Sequence, residues 1–273
     1  RGFFKFSGLS QMDEDDSTPC KCLQPKDLDS LYSHVLRIEK LNGKFAVVRL
    51  VKFGGRVYLI GGSKGVHRCV SLDNFTSDIA KLDYKSKQLV VPILTLFHQQ
   101  YMACSPEIQE EVLEHLAVQK YTMCAEYEDG QHLEEHVGPP RLRWFGMAYS
   151  GEDFATETSL SGNILRDLQL LNRWGFPTPK YSLLSREQDL ANRGQERHLR
   201  GREGYVKHYL RISGGEKSGV ESEGGSEGMA YETVFVEKTK TTWYVLVRVL
   251  REVVRGCDNI LAQAPRSEEH TSE

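Results

Sequence analysis

The chain has 273 residues, 39% of them hydrophobic and 27% charged, with a formal charge of −3 at pH 7. That is the balance of an ordinary globular protein, with apolar content enough for one large or two small domains. No apolar run approaches the roughly 18 to 20 residues that cross a bilayer as a helix, so no membrane partner is expected.

The chain opens "RGFFKFSGL", without an initiator Met or a signal-peptide layout, and is expected to be a fragment. Asp13 to Thr18, "DEDDST", is an acidic loop, and "PKDLDSLYSHVL" suggests a short helix after it. From Phe45 to Phe53 the residues are rich in Val, Leu and Phe. Gly54 and Gly55 then supply the positive φ angles of a two-residue turn, and Arg56 to Ile60 runs back, so a β-hairpin is predicted. Ser105 with Pro106 at the first turn starts a helix of about twelve residues, whose Ile108, Val112 and Leu116 form a buried stripe.

Tyr121 to Glu128 and Arg141 to Tyr149 read as strands around the irregular connection "DGQHLEEHVGPP". "GNILRDLQLLNRWGFPTPKYSLL" reads as a helix closed by Gly175, a proline-marked turn and another strand. Gly204 to Leu210 and Met229 to Glu237 form a second β pair. Their connection, 213–228, is low-complexity Gly, Ser and Glu, and is expected to be a flexible acidic loop. "TTWYVLVRVLREVVRG" is an apolar helix with Arg248, Arg251 and Arg255 on one face. The fold class predicted is α+β, with mostly antiparallel sheets and flanking helices.

The last eight residues, "RSEEHTSE", can be encoded by the opening of a widely used sequencing adapter. Residues 266–273 are therefore expected to be foreign, with the natural chain continuing past the break. That tail holds one Arg and three Glu, and the acidic loop one Lys and four Glu, so the remainder carries about +2. Such a mildly basic body is compatible with a polyanionic partner without demanding one. Of six cysteines only Cys20 and Cys22 are close together, without the second pair that a zinc site needs. Free thiols in a reducing intracellular compartment, cytoplasm or nucleus, are expected.

Candidate chemistry lies in polar residues placed among these elements. Lys40 stands before Asn42 and Gly43 at the mouth of a strand, and Lys64 follows the hairpin at the same end. Glu126 occurs in "CAEYEDG", aromatic residues in "RWFGMA", Glu203 in "REGYV", and Lys238 with Lys240 in "VEKTKTTWYV". Singly, each has a plainer meaning: a surface acid, a core aromatic, a solvated lysine stripe. His98, His208 and the other histidines lack metal-like spacing.

In this order the motifs resemble the covalent nucleotidyltransferase superfamily of ATP-dependent DNA and RNA ligases and mRNA capping enzymes. They are most similar to phage and fungal tRNA-repair RNA ligases, through "FFKFSGL", "SKG", "EGYV" and the "WY" that closes the Lys-x-Lys strand. The resemblance covers residues 1–255. It implies a nucleotidyltransferase domain (ATP-grasp-like ligase) over 1–265, cut at both ends, that uses ATP and Mg²⁺ or Mn²⁺ and acts on RNA, for instance tRNA with 5′-phosphate and 3′-hydroxyl ends.

By that resemblance Lys40 attacks the α-phosphate of ATP and carries AMP as a phosphoramidate. Lys238, Lys240 and Lys64 would disfavour the ammonium form of Lys40 and steady developing phosphate charge. Glu39 precedes the nucleophile, where the family's backbone reads the adenine edge, and Glu126 lies where it holds the ribose hydroxyls. Phe145 or its neighbour Trp144 would stack on the base, Glu203 would meet the metal, and Gly43 would allow close backbone approach. Lys5 matches a lysine thought to meet the triphosphate, and Arg1 the remnant of an upstream motif. Asn42 stands where many relatives have Asp and Lys44 where many have Ser, departures that bear on substrate handling. Glu227 also precedes a Gly, but using it would leave "MAYETVFVEKTK" as a hairpin with no turn residue, which favours Glu203. The alternatives are a capping-type guanylyltransferase and an inactive ligase-like RNA-binding module.

Overall fold

The computed structural model describes residues 27–130, 138–149, 163–212 and 231–263, without the side chains of 85, 87 and 255–263. Lys5, Arg1, the acidic loop with Glu227, and residues 266–273 lie outside the described residues.

Two antiparallel sheets organise the chain. After a short helix α1 (Leu28–Leu31) come β1 (His34–Lys40), β2 (Lys44–Phe53), β3 (Arg56–Ser63) and β4 (His67–Ser71). The helix expected over "PKDLDSLYSHVL" is thus only its middle, because His34 onward, with the β-branched Val35 and Ile38, pairs as β1. Helices α2 (Phe75–Ala80), α3 (Tyr84–Met102) and α4 (Pro106–Leu113) precede β5 (Tyr121–Glu128) and β6 (Arg141–Tyr149). A π-helical turn, Glu114–Val118, prolongs α4. Then follow α5 (Ile164–Arg173), β7 (Tyr181–Ser185), α6 (Arg186–Asn192), a 3₁₀ turn (Gln195–His198), β8 (Gly204–Ile212), β9 (Tyr231–Lys240) and α7 (Thr242–Gln263).

The strand order is β4-β3-β2-β5-β6 in a five-stranded sheet and β7-β1-β8-β9 in a four-stranded one. The hairpin turn forms as the glycine pair predicts, with φ of 56° at Gly54 and 74° at Gly55. Alternation divides the five-stranded sheet into two faces. Ala46, Val48, Leu50, Ala125, Tyr127, Leu142 and Trp144 meet Val90, Ile93, Leu94 and Phe97 of α3 in the main core. Phe45, Glu126 and Arg143, aligned across β2, β5 and β6, lie on the other face. A second core joins Leu36 and Ile38 of β1 to Ile164 and Leu168 of α5.

The back of the four-stranded sheet carries buried charge. Lys207 Nζ lies 3.1 Å from Asp189 Oδ1 and 2.7 Å from Glu196 Oε2, and all three side chains are almost wholly buried. Arg37 Nη1 donates to Glu196 Oε1 at 3.1 Å, and Tyr32 Oη donates to Asp189 Oδ2 at 3.1 Å. The ion pairs compensate charges whose desolvation alone would cost several kcal/mol each.

His208 is buried on β8 opposite Leu36 and Val236, and its Nδ1 has no hydrogen-bond partner among the described residues. Burial pushes its pKa down from 6.5 to about 4. The folded chain therefore binds fewer protons here than the unfolded chain between those values, so the stability is intact above pH 6.5 and lost as pH falls towards 4. Going from pH 7 to pH 5 is expected to cost about 2 kcal/mol through this residue. Urea unfolding of the parent and His208→Phe at both pH values checks it. An equal loss in both chains would show that His208 is not the cause.

Candidate active site at the junction of the two sheets

Lys40 ends β1, and three residues, Leu41 to Gly43, carry the chain from the four-stranded to the five-stranded sheet. In register, Lys40 faces Gly204 of β8, which faces Lys240 of β9. Cross-strand partners share a face, so Lys40 and Lys240 flank a residue with no side chain, two strand spacings or about 10 Å apart in backbone terms. Lys238 lies two residues before Lys240, on the same face by alternation, aligned with Val206 and Ile38.

Lys40 Nζ lies 2.6 Å from Glu203 Oε1, with side-chain exposures of 19% and 5%. Gly204 explains how an acid one residue outside the row reaches it. Its φ is +148°, and a Cβ there would meet the Thr239 carbonyl oxygen at 1.9 Å, so only glycine fits and the strand alternation is broken at Glu203. Thr241, fully buried, secures this corner: its N–H donates to the Glu203 carbonyl at 2.9 Å and its Oγ1 to the Arg202 carbonyl at 2.6 Å.

On the five-stranded sheet, Gly43 is pressed against β5. A Cβ at Gly43 would lie 2.6 Å from the Tyr127 carbonyl oxygen and 3.4 Å from Glu126 Cβ. The close approach that glycine permits is thus to the protein's own strand, and it brings the segment after Lys40 beside Glu126. The Asn42 amide nitrogen is buried with no hydrogen-bond partner among the described residues. Lys44 Nζ is held by Asp129 Oδ2 at 2.6 Å. Lys64 is exposed on the turn after β3, near the start of β2 through the Ala46–Ser63 register pair.

The structure separates the two aromatic candidates. A bulge in the β5–β6 pairing sets Cys124 against Gly146 and Ala125 against Trp144, leaving Phe145 as the extra residue. Trp144 is fully buried against Phe97 and Phe176, with its Nε1 donating to Gln100 Oε1 at 2.8 Å. Phe145 is half-buried on the Glu126 face, its ring centroid 6.2 Å from that of Phe45. Trp144 is a core residue, and Phe145 is the ring at the junction.

Glu39 points away from Lys40 along β1 and meets Arg143 of β6, with Nη1 3.1 Å from Oε2. Arg143 is a residue that sequence reasoning missed, although it stands two positions before Phe145 and so on its face. Among the described residues no group of three or more His, Cys, Asp or Glu could hold a metal ion by itself. No described helix is long and apolar enough to cross a membrane.

The chain is similar to an archaeal ATP-dependent RNA ligase in its form 2, with 14% identity, 89% of this chain and 49% of that one covered, and a TM-score of 0.46. It is similar to the Naegleria gruberi RNA ligase with pyrophosphate, at 12% identity over 80% of this chain and 52% of that one, TM-score 0.44. A point mutant of the same ligase with ATP and manganese gives 11% identity at the same coverage and TM-score. The chain spans about half the length of these solved chains. No protein-family model matches it, and no curated protein does.

Proposed function

We propose that this chain is a covalent nucleotidyltransferase domain whose nucleophile is Lys40. More narrowly, it is read as the nucleotidyltransferase part of an ATP-dependent RNA ligase that joins 5′-phosphate and 3′-hydroxyl ends, in tRNA repair or splicing within a reducing compartment. The observation that carries this reading is the row Lys40, Gly204, Lys240 with Glu203 in contact with the Lys40 ammonium. These groups come from three separate motifs, and sequence order alone does not require the three to meet.

The chemistry follows from that arrangement. The Lys40 ammonium, released from Glu203, gives a proton to solvent, and the neutral amine attacks the α-phosphorus of ATP, a second N–H proton passing to solvent as the bond forms. A P–N bond forms, the P–O bond to pyrophosphate breaks, and pyrophosphate leaves. The 5′-phosphate of RNA then takes the AMP, the P–N bond breaks and Lys40 regains its proton. Attack by the 3′-hydroxyl forms the phosphodiester and releases AMP. Lys240 and Lys238 place positive charge where phosphate charge develops. Phe145 offers a stacking face, Glu126 accepts from ribose hydroxyls, and the buried Asn42 amide has an acceptor to gain from a ligand.

Glu203 fits a hard divalent cation. Mg²⁺ is ordinarily held by one or two carboxylates together with substrate phosphates and water, so a single acid suffices. When bound, Mg²⁺ or Mn²⁺ would offset the negative charge of the phosphates. Displacing Lys40 from Glu203 would serve both partners: the ammonium would lose its anion and could give its proton to solvent, and the carboxylate would be open to hold the cation.

The test is incubation with α-labelled ATP or GTP and Mg²⁺ or Mn²⁺, followed by a denaturing gel. Label from ATP in preference to GTP is expected. Label from GTP alone would instead indicate a capping-type guanylyltransferase, and a folded chain with no label would point to an RNA-binding module. Glu203→Ala is expected to lower labelling about a hundredfold or more, since no other acid contacts Lys40 among the described residues. Glu227→Ala, outside the described residues, is expected to keep it. The reverse pattern would move the motif to Glu227.

A further inference from the structure

We propose that Arg143 is a positioning residue that clamps the strand carrying Lys40 to the sheet carrying Glu126 and Phe145, and so sets the span across which the nucleotide is held. The inference rests on the proposed function. Arg143 Nη1 donates to Glu39 Oε2 at 3.1 Å, while its Nη2 and Nε donate to Glu128 Oε1 and Oε2 at 2.6 Å each. Three donors of one planar fork are thus engaged by acceptors from both sheets. A lysine ammonium has no such fork to bridge them. Glu128 is 4% exposed, Arg143 15% and Glu39 17%, so solvent screens the cluster weakly.

The Glu128 and Arg143 charges hold each other in place. Burial opposes ionisation of Glu128, but the guanidiniums of Arg143 and Arg141 outweigh it and hold the carboxyl below its usual range. Burial likewise opposes the Arg143 charge, and Glu128 and Glu39 outweigh it. The placement gives the clamp its role. Glu39 is the residue before Lys40, while Arg143 is aligned with Glu126 and stands two residues before Phe145. One guanidinium therefore ties the neighbour of the nucleophile to the strand pair that offers the ring and the ribose acid.

The consequence is specific. Lys40, Glu203 and Lys240 all belong to the four-stranded sheet or its edge, so the reacting groups stay aligned without Arg143. Base and ribose contacts come from the other sheet. Loss of the clamp leaves Glu39 and Glu128 without their shared cation and loosens that sheet relative to the first. Nucleotide binding should weaken while the chemical step is largely kept.

Single-turnover labelling of the full chain against ATP concentration tests this. Arg143→Gln is expected to raise the half-saturating ATP concentration about tenfold with the maximal rate within about threefold of the parent. Glu39→Gln should act alike, and the double variant should be no worse than either single one. A folded Arg143→Gln chain with unchanged half-saturation, or one that loses only maximal rate, overturns the proposal, as do effects that add. If Arg143→Gln does not fold, Glu39→Gln reads the same contact from its more exposed end, and an unchanged half-saturation there overturns the proposal. A folded parent that takes no label overturns the proposed function and this inference with it, whereas a labelling parent with indifferent variants overturns the inference alone.

Discussion

Lys40→Arg is expected to lower covalent labelling from ATP by about a thousandfold or more while leaving a stable fold. Arginine keeps a cation opposite Glu203, whose side chain is 5% exposed and would be costly to strand. It cannot, however, supply a neutral nitrogen, because a guanidinium holds its proton at any working pH. Lys40→Ala removes both functions, so it should lose label and also about 1 to 3 kcal/mol of stability, because the buried Glu203 carboxylate loses this ion pair. Labelling and urea unfolding on the same two variants separate nucleophile from ion-pair partner. Label retained above about one per cent in Lys40→Arg would show that another residue accepts AMP.

The largest effect on stability is expected from Lys207→Met. The ammonium sits between Asp189 and Glu196, with side-chain exposures of 4%, 0% and 5%. Removing it leaves two buried carboxylates with Tyr32, Arg193 and Arg37 as their remaining partners. Breaking such a network typically costs about 3 to 5 kcal/mol, far more than its assembly contributes. The site should feel it, because Lys207 lies three residues after Gly204 on β8, opposite Arg37 of β1. Urea unfolding gives the measurement. A loss under about 1 kcal/mol would mean that water or rearrangement satisfies the two acids.

How far the sequence revealed the fold depended on how local the deciding forces were. The β2–β3 hairpin is set by two adjacent glycines, and β5 and β6 by runs of strand-forming residues, so all four were legible. The longest helix of the main core, α3, was not, since Pro92 lies inside it and reads as a break. A signal was present nonetheless: Asp83 caps it by accepting from the Ser86 N–H, and Val90, Ile93, Leu94, Phe97 and Tyr101 recur at helical spacing. Packing on the sheet overrides the lost hydrogen bond. β4, α2 and α6 were missed as short elements that depend on neighbours for support.

The candidate site was legible as residue types and not as geometry. Motif order picked out Lys40, Glu126, Glu203, Lys238 and Lys240, yet nothing in the order says that Lys40 and Glu126 belong to different sheets. Choosing Phe145 over Trp144 required the bulge, which a run of residues does not announce. Arg143 and Glu128 escaped because charged residues beside an aromatic motif ordinarily mean a solvated edge, and only the meeting of two sheets converts them into a clamp. The Lys40–Glu203 ion pair depends on the positive φ of Gly204, a backbone property hidden in the dipeptide Glu-Gly.

In the proposed reaction Lys40 becomes covalently joined to AMP, and the decisive measurement locates that bond. The full chain would be incubated with α-labelled ATP and Mg²⁺ or Mn²⁺, denatured and digested, and the modified peptide sequenced by mass spectrometry. A P–N bond to lysine is acid-labile and alkali-stable, unlike an acyl phosphate. AMP is expected on Lys40, kept in alkali and released by acid. A folded chain that takes no label, or one whose AMP lies on another residue, would contradict it.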